Sequence, residues 1–198
     1  MSDTREQLSP VSVALHWIIG LTIIGMVLFG MYIAGLPKTD PNKLQLIFLH
    51  RSIGILVLAF ASWRIIHRLR MGFPENVGSY QTWERHLAKT VQVFLLLATL
   101  AMPLSGIVFS VASGRSIELF GLPFIPVLMQ KNQEIAQLAR GTHEILGKLM
   151  LLAVAFHIAG ALKHHMMDRD GTLKRMLGAR IAPRDPVVLA AAATAKAK

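Results

Sequence analysis

Four long apolar segments dominate this sequence of 198 residues. They cover residues 11–36, 46–67, 87–110 and 143–166, and each is close to the roughly 20 residues that a helix needs to cross a bilayer. Hydrophobic residues make up 53% of the chain and charged residues 16%, a balance too apolar for an ordinary soluble domain. Because only helices and closed barrels satisfy backbone polar groups in lipid, the segments predict an all-α fold. We expect an integral membrane four-helix bundle, with residues 1–198 forming a single membrane domain.

The charges between these segments predict the orientation of the bundle. Basic residues exceed acidic ones between the second and third segments and again after the fourth. The first group consists of Arg68, Arg70, Arg85 and Lys89, with Arg64 at the end of the second segment, and the second group consists of Lys163, Arg169, Lys174, Arg175, Arg180, Arg184, Lys196 and Lys198. Since cytoplasmic loops are the positive ones, both termini are expected in the cytoplasm. The same rule explains the net charge of +10 without a nucleic-acid partner.

Two further segments lie outside the four membrane helices. The apolar spacing within about residues 126–140 favours a short helix on the outer face of the membrane. The basic tail over about 178–198 is rich in alanine and is expected to be mobile.

The chain has no cysteine and eight histidines. The lack of cysteine excludes disulfides, thiolate metal sites and covalent haem attachment through a C-x-x-C-H motif. Ionisable side chains inside a bilayer are costly, and by default they mark a functional site. The histidines within the apolar segments are therefore the candidates for metal or haem chemistry.

Four of these histidines fall at two depths in the predicted bundle. His143 and His157 are separated by 14 residues on the fourth helix, which corresponds to about 21 Å along the axis and a rotation of roughly 40°. His50 lies at the outer depth of His143, and His16 lies at the inner depth of His157. Two such pairs are typical of two bis-histidine haems inside a helical bundle.

Two other roles are open to these histidines. A membrane histidine also serves as a hydrogen-bonding residue in helix packing. Zinc would require a compact cluster of ligands, usually supported by carboxylates, and no Asp or Glu lies in the interior of the four segments.

The chain also resembles the bacterial cytochrome b561 family of di-haem, four-helix membrane proteins. The motifs that carry this resemblance are SVALHW, HRSIG, MPLSGIVFSVASGRSIELFGLPFIP and THEILGKLMLLAVAFHIAGALKHHMMDRDGTLKRM. The resemblance implies two b haems with His16, His50, His143 and His157 as axial ligands to the iron. It also implies a multi-pass protein of the bacterial inner membrane that acts in a respiratory chain.

Two more residues are candidates for cofactor contacts. His164 follows His157 by seven residues, and it is either an interfacial histidine or a hydrogen-bonding partner for quinone. Arg51 is next to His50 and suits a haem propionate, although an interfacial arginine has the same position. Arg51, Arg140 and Lys148 are also expected to form a positive funnel on the outer face.

The favoured function is transmembrane electron transfer through two b haems, from an unknown periplasmic one-electron donor to ubiquinone of the quinone pool. The resemblance suggests superoxide as one donor, which would make the protein a superoxide:ubiquinone oxidoreductase. A haem-bearing membrane anchor for a partner dehydrogenase or hydrogenase is the alternative. A third class, a transporter or sensor with histidine proton relays, would have no haem spectrum.

Overall fold

Four long helices form the framework of the protein, which we describe from a computed structural model. The structure describes residues 3–72, 74, 77–78 and 80–181. The long helices are α1 (Pro10–Gly35), α2 (Lys43–Met71), α3 (Thr82–Ala112) and α4 (Gln133–Met166), and a short helix α5 covers Thr172–Met176. All four long helices are long and apolar enough to cross a membrane, which confirms the predicted four-helix membrane bundle.

Three of the four long helices, α1, α3 and α4, begin at residues that satisfy free backbone N–H groups. The side chain of Ser9 accepts a hydrogen bond from the backbone N–H of Ser12, and Pro10 occupies the first turn of α1, where a missing N–H costs nothing. At the start of α3, Gln81 and Glu84 form a reciprocal capping box. The side chain of Asn132 caps α4 in the same way as Ser9 caps α1.

The segment between α3 and α4 contains a small β-hairpin that the apolar pattern did not indicate. Strands β1 (Ile117–Leu119) and β2 (Leu122–Ile125) pair in antiparallel fashion. The turn consists of Phe120 and Gly121, with φ angles of 51° and 87°. Ser52 of α2 holds the hairpin in place, because its Oγ donates to the carbonyl of Glu118 and accepts from the N–H of Phe120. The fold is therefore mostly helical with one short hairpin.

The prediction of a separate short helix over 126–140 was wrong. Residues 133–140 are instead the first two turns of α4, and residues 126–132 are not helical. The physical reason is the spacing of the buried residues Ala136, Ala139, Gly147 and Met150, which forms one continuous helical face. Most of the predicted mobile tail lies outside the described residues.

The core of the bundle lies midway along the helices. Leu15, Ile19, Ile23 and Val27 form one buried face of α1, and they pack against Val57, Ala98 and Met150 of the other three helices. The outer faces of the helices are apolar and exposed, as expected for surfaces that contact lipid.

The two ends of the bundle differ in what covers them. At one end, the indole N–H of Trp17 donates to the carbonyl of Met176, and the N–H of Ile181 donates to the carbonyl of Glu6. We call this the termini end. The opposite end carries β1 and β2, and we call it the hairpin end.

Candidate functional site

The four histidines singled out by their spacing form two pairs inside the bundle. The ring centroids of His16 and His157 are 5.9 Å apart, near the termini end. The ring centroids of His50 and His143 are 6.2 Å apart, near the hairpin end. α1 and α2 each supply one partner, and α4 supplies a partner to both pairs. The pairing is the one expected from depth.

The spacing within each pair suits one metal ion between two imidazole rings. Imidazole nitrogens bind a metal at about 2 Å, so two nitrogens on opposite sides of one ion lie about 4 Å apart and their ring centroids about 6 Å apart. Both observed centroid distances match this arrangement. Within the described chain, no group of three or more His, Cys, Asp or Glu side chains converges on a point where one ion could be held. The residues therefore fit bis-histidine ligation better than a compact zinc site.

The hydrogen bonds of His143 are made by Nδ1 and leave Nε2 free to bind a metal. Its Nδ1 lies 3.0 Å from the carbonyl oxygen of Met102 and 3.0 Å from Ser105 Oγ. Because a carbonyl oxygen only accepts, Nδ1 carries the hydrogen and the neutral ring has its lone pair on Nε2. Metal-binding histidines are usually oriented in this way, with the second nitrogen bonded to a carbonyl or carboxylate.

Two glycines of neighbouring helices lie directly beside the pair at the hairpin end. A Cβ atom at Gly30 of α1 would be 3.1 Å from His50 Cε1, and one at Gly106 of α3 would be 3.2 Å from His143 Cε1. His50 Nδ1 is buried and has no hydrogen-bond partner among the described residues. The absence of side chains at Gly30 and Gly106 therefore preserves the space around both rings.

Arg64 lies beside the histidine pair at the termini end. From the sequence, it was expected only to contribute to the positive charge at the end of the second segment. It lies within α2, half-buried, with its guanidinium 3.3 Å from His16 Nδ1. In the part of the chain that the structure describes, Arg64 forms no ion pair with a carboxylate. An arginine in a membrane helix usually faces an anion or a polar cavity. Its position inside the apolar segment, rather than after it, was the signal available in the sequence.

Arg51 lies in a cleft of about 630 Å³ at the hairpin end. The charged residues that line the cleft are Lys38, Lys43, Arg51 and Arg115, with Asp40 and Glu118. Arg140 and Lys148 do not line it, and Arg140 is instead paired with Glu144 at 2.8 Å on an exposed face. The predicted positive funnel therefore exists around Arg51 but is built by other residues.

His164 occupies a polar cluster at the termini end rather than an open surface. Its Nδ1 lies 2.6 Å from Asp168 Oδ2, and its ring centroid is 4.2 Å from that of Tyr80. Its side chain is only 12% exposed. His165, its neighbour in sequence, has a buried Nδ1 without a hydrogen-bond partner in the described structure.

Comparison with known proteins places these features in one family. Residues 7–179 match the prokaryotic cytochrome b561 family. The chain is 32% identical to cytochrome b561 homolog 2 of Escherichia coli over 89% of this chain and 94% of that protein. It is 30% identical to cytochrome b561 homolog 1 of the same organism, over 88% and 99% of the two chains. It is 27% identical to the probable superoxide oxidase CybB of Yersinia pestis, over 87% and 97%.

The chain belongs to the prokaryotic cytochrome b561 family. It is therefore a b-type haem protein that transfers electrons in the membrane, and a multi-pass protein of the bacterial inner membrane.

The glycines at the hairpin end lead to a first prediction. Gly30→Ala or Gly106→Ala places a methyl group at 3.1–3.2 Å from a histidine ring, and overpacking of this kind costs about 1–3 kcal/mol. We expect either variant to purify with less haem than the wild type, measured as the haem-to-protein ratio. Gly25→Ala is the matched control in α1, because no atom lies within 4 Å of its added Cβ. Equal haem content in all three variants would contradict this role of the glycines.

Proposed function

We propose that this cytochrome carries electrons across the membrane from a one-electron donor at the hairpin end to ubiquinone at the termini end. The proposal depends on one observation: two pairs of histidines lie at two depths in the bundle, and α4 supplies one member of each pair. The excess of basic residues after α4 and between α2 and α3 supports a cytoplasmic termini end. The hairpin end then faces the periplasm.

Two haems of the b type are part of this proposal. His16 and His157 would hold one iron, and His50 and His143 the other. A bound haem would supply reversible one-electron reduction, and ligation by two histidines would favour electron transfer over oxygen activation. The bond from His143 to the Met102 carbonyl fixes the ring and increases the basicity of Nε2.

The two arginines of α2 are the proposed partners of the haem propionates. Arg64 lies against His16, and Arg51 directly follows His50 in the chain. Neither forms an ion pair with a carboxylate among the described residues, although both side chains are half-buried. A propionate would supply the missing anion, and a guanidinium binds a carboxylate in bidentate fashion.

The cleft at the hairpin end suits a small anionic donor. It has four cationic side chains and two carboxylates, beside the helix turn that carries His50. A positive cleft raises the local concentration of an anion and its association rate. Superoxide is the donor that we propose, a choice also supported by the similarity to the probable superoxide oxidase of Yersinia pestis.

The acceptor is proposed to bind beside His164. This histidine lies seven residues beyond His157 on α4, about 10 Å further along the helix axis. A quinone headgroup at this depth would be close to the pair at the termini end. Reduction of a quinone oxygen needs a proton donor, and histidine is the side chain most often used for this purpose.

The function is tested with the purified, haem-loaded protein and a source of superoxide. We expect superoxide to reduce the haem and added ubiquinone-1 to re-oxidise it, with quinol as the product and with superoxide dismutase suppressing the reaction. Haem that superoxide does not reduce would overturn the proposed donor. A protein that purifies with a dehydrogenase or hydrogenase, and is reduced only by that partner, would favour the membrane-anchor alternative.

A further inference from the structure

Three groups from two parts of the chain hold the His164 ring in place. Asp168, just beyond the end of α4, contacts Nδ1 at 2.6 Å. The ring of Tyr80, just before α3, packs against the imidazole at a centroid distance of 4.2 Å, with the two ring planes tilted by 39°. Lys163 reaches Asp168 Oδ2 at 2.9 Å and Glu84 Oε1 of α3 at 2.6 Å. The Asp168 carboxylate is thereby tied to both helices.

The ionisation of Asp168 decides which nitrogen of His164 carries hydrogen. Hydrogen bonds from Lys163 and His164 hold the pKa of the Asp168 carboxyl below its usual range. The carboxylate is therefore ionised at neutral pH, and this state is lost only as the pH falls through that lowered pKa. An ionised carboxylate only accepts hydrogen bonds, so Nδ1 is the donor. Nε2 is then the nitrogen that gains and loses a proton.

No other charged group in the described structure bonds to the His164 ring. The Tyr80 hydroxyl is turned to Asp170 Oδ2 and Thr172 Oγ1, each at 3.0 Å, and burial raises the pKa of the Tyr80 phenol. Tyr80 thus offers His164 a neutral aromatic face. Lys163 bonds to Asp168 and to Glu84, and neither Lys163 nor Glu84 bonds to the ring itself. Asp168 is accordingly the charged group that fixes the orientation of the His164 ring.

We propose that Asp168 is a positioning residue for quinone reduction, which directs Nε2 of His164 to the quinone oxygen and stabilises the doubly protonated ring. The inference rests on the proposed function, since it requires quinone to bind beside His164. The same division of roles, in which a carboxylate orients a histidine and stabilises its charged form, is known from hydrolase triads. Neither the spacing of the ligand histidines nor the haem sites requires Asp168.

The overall step balances in electrons and protons. Two superoxide ions lose one electron each and become two molecules of oxygen. The quinone gains these two electrons and two protons, one on each oxygen, and becomes quinol. A proton leaving Nε2 of His164 is replaced from water at the termini end, so that the Asp168 bond to Nδ1 persists throughout.

The test compares re-oxidation of the pre-reduced, haem-loaded protein by ubiquinone-1 in Asp168→Asn, Asp168→Glu and the wild type. We expect Asp168→Asn to slow re-oxidation by about 10-fold or more, a part of the 10²–10⁴-fold that a positioned proton donor contributes. As the pH is raised, the rate in Asp168→Asn should begin to fall at a lower pH than the rate in the wild type, because the charged ring has lost its counter-ion. Asp168→Glu should restore both the rate and the pH profile, and the haem spectra should be unchanged.

Two controls separate this inference from the proposed function. Asp170→Asn removes a neighbouring carboxylate that bonds Tyr80 and not His164, and it should re-oxidise at the wild-type rate. If His164→Ala is slow but Asp168→Asn keeps the wild-type rate and pH profile, Asp168 has no positioning role and the quinone site stands. If His164→Ala itself re-oxidises normally, the quinone site fails as well. A slow Asp168→Asn with an unchanged pH profile and no rescue by Asp168→Glu also overturns the inference.

Discussion

His143→Ala and His50→Ala should each yield a protein that has lost the haem at the hairpin end and kept the other one. The two rings are 6.2 Å apart, and bis-histidine ligation fails when either nitrogen is removed. His16→Ala and His157→Ala should lose the haem at the termini end, because their rings form the second pair at 5.9 Å. Haem content should fall to about half of the wild-type value in all four variants, since each pair is proposed to hold one iron.

Low-spin signals in electron paramagnetic resonance identify which haem each variant has lost. The two variants of one pair should lack the same signal, and the two variants of the other pair should lack the second. His86→Ala is the control, because His86 is an exposed histidine of α3 outside both pairs. Loss of one signal by both His16→Ala and His50→Ala, with loss of the other by His157→Ala, would show that the proposed pairing is wrong.

His164→Ala should leave both haem spectra intact and slow re-oxidation by quinone about 10²-fold, the lower range for a lost proton donor. The proposed haem ligands are untouched, so reduction by a donor at the hairpin end should proceed as in the wild type. Stopped-flow mixing of the pre-reduced variant with ubiquinone-1 measures this rate.

His165→Ala is the matched control for that experiment. His165 is adjacent in sequence but points about 100° further round the helix, and it does not share the Asp168 bond. Wild-type re-oxidation in His164→Ala would reduce His164 to an interfacial residue. Equal slowing in both variants would show a general disturbance of the end of α4 instead of a specific quinone contact.

The helices and the histidine pairing could be predicted because both follow from local spacing. A membrane helix needs only its own apolar residues, and the 14-residue interval between His143 and His157 fixes their common face and separate depths. The depth of His16 and His50 in their own helices then leaves one partner for each. No long-range contact had to be known.

The contacts of Arg64, His164 and the hairpin could not be predicted in this way. Arg64 fits the positive-inside rule equally well, and only the packing of α2 on α1 brings it to His16. Tyr80 and His164 are 84 residues apart, and the contact between their rings depends on how the segment before α3 meets the end of α4. The start of α4 was misplaced because residues 133–140 look amphipathic by themselves, while in the fold they extend the buried face of a longer helix.

The count of haems per chain tests the central claim most directly. A pyridine-haemochrome assay combined with a protein determination should give two b haems per chain, and acid–acetone should extract all of the haem, because the chain has no cysteine for covalent attachment. One haem per chain in a fully loaded preparation, or haem that resists extraction, would contradict two bis-histidine sites.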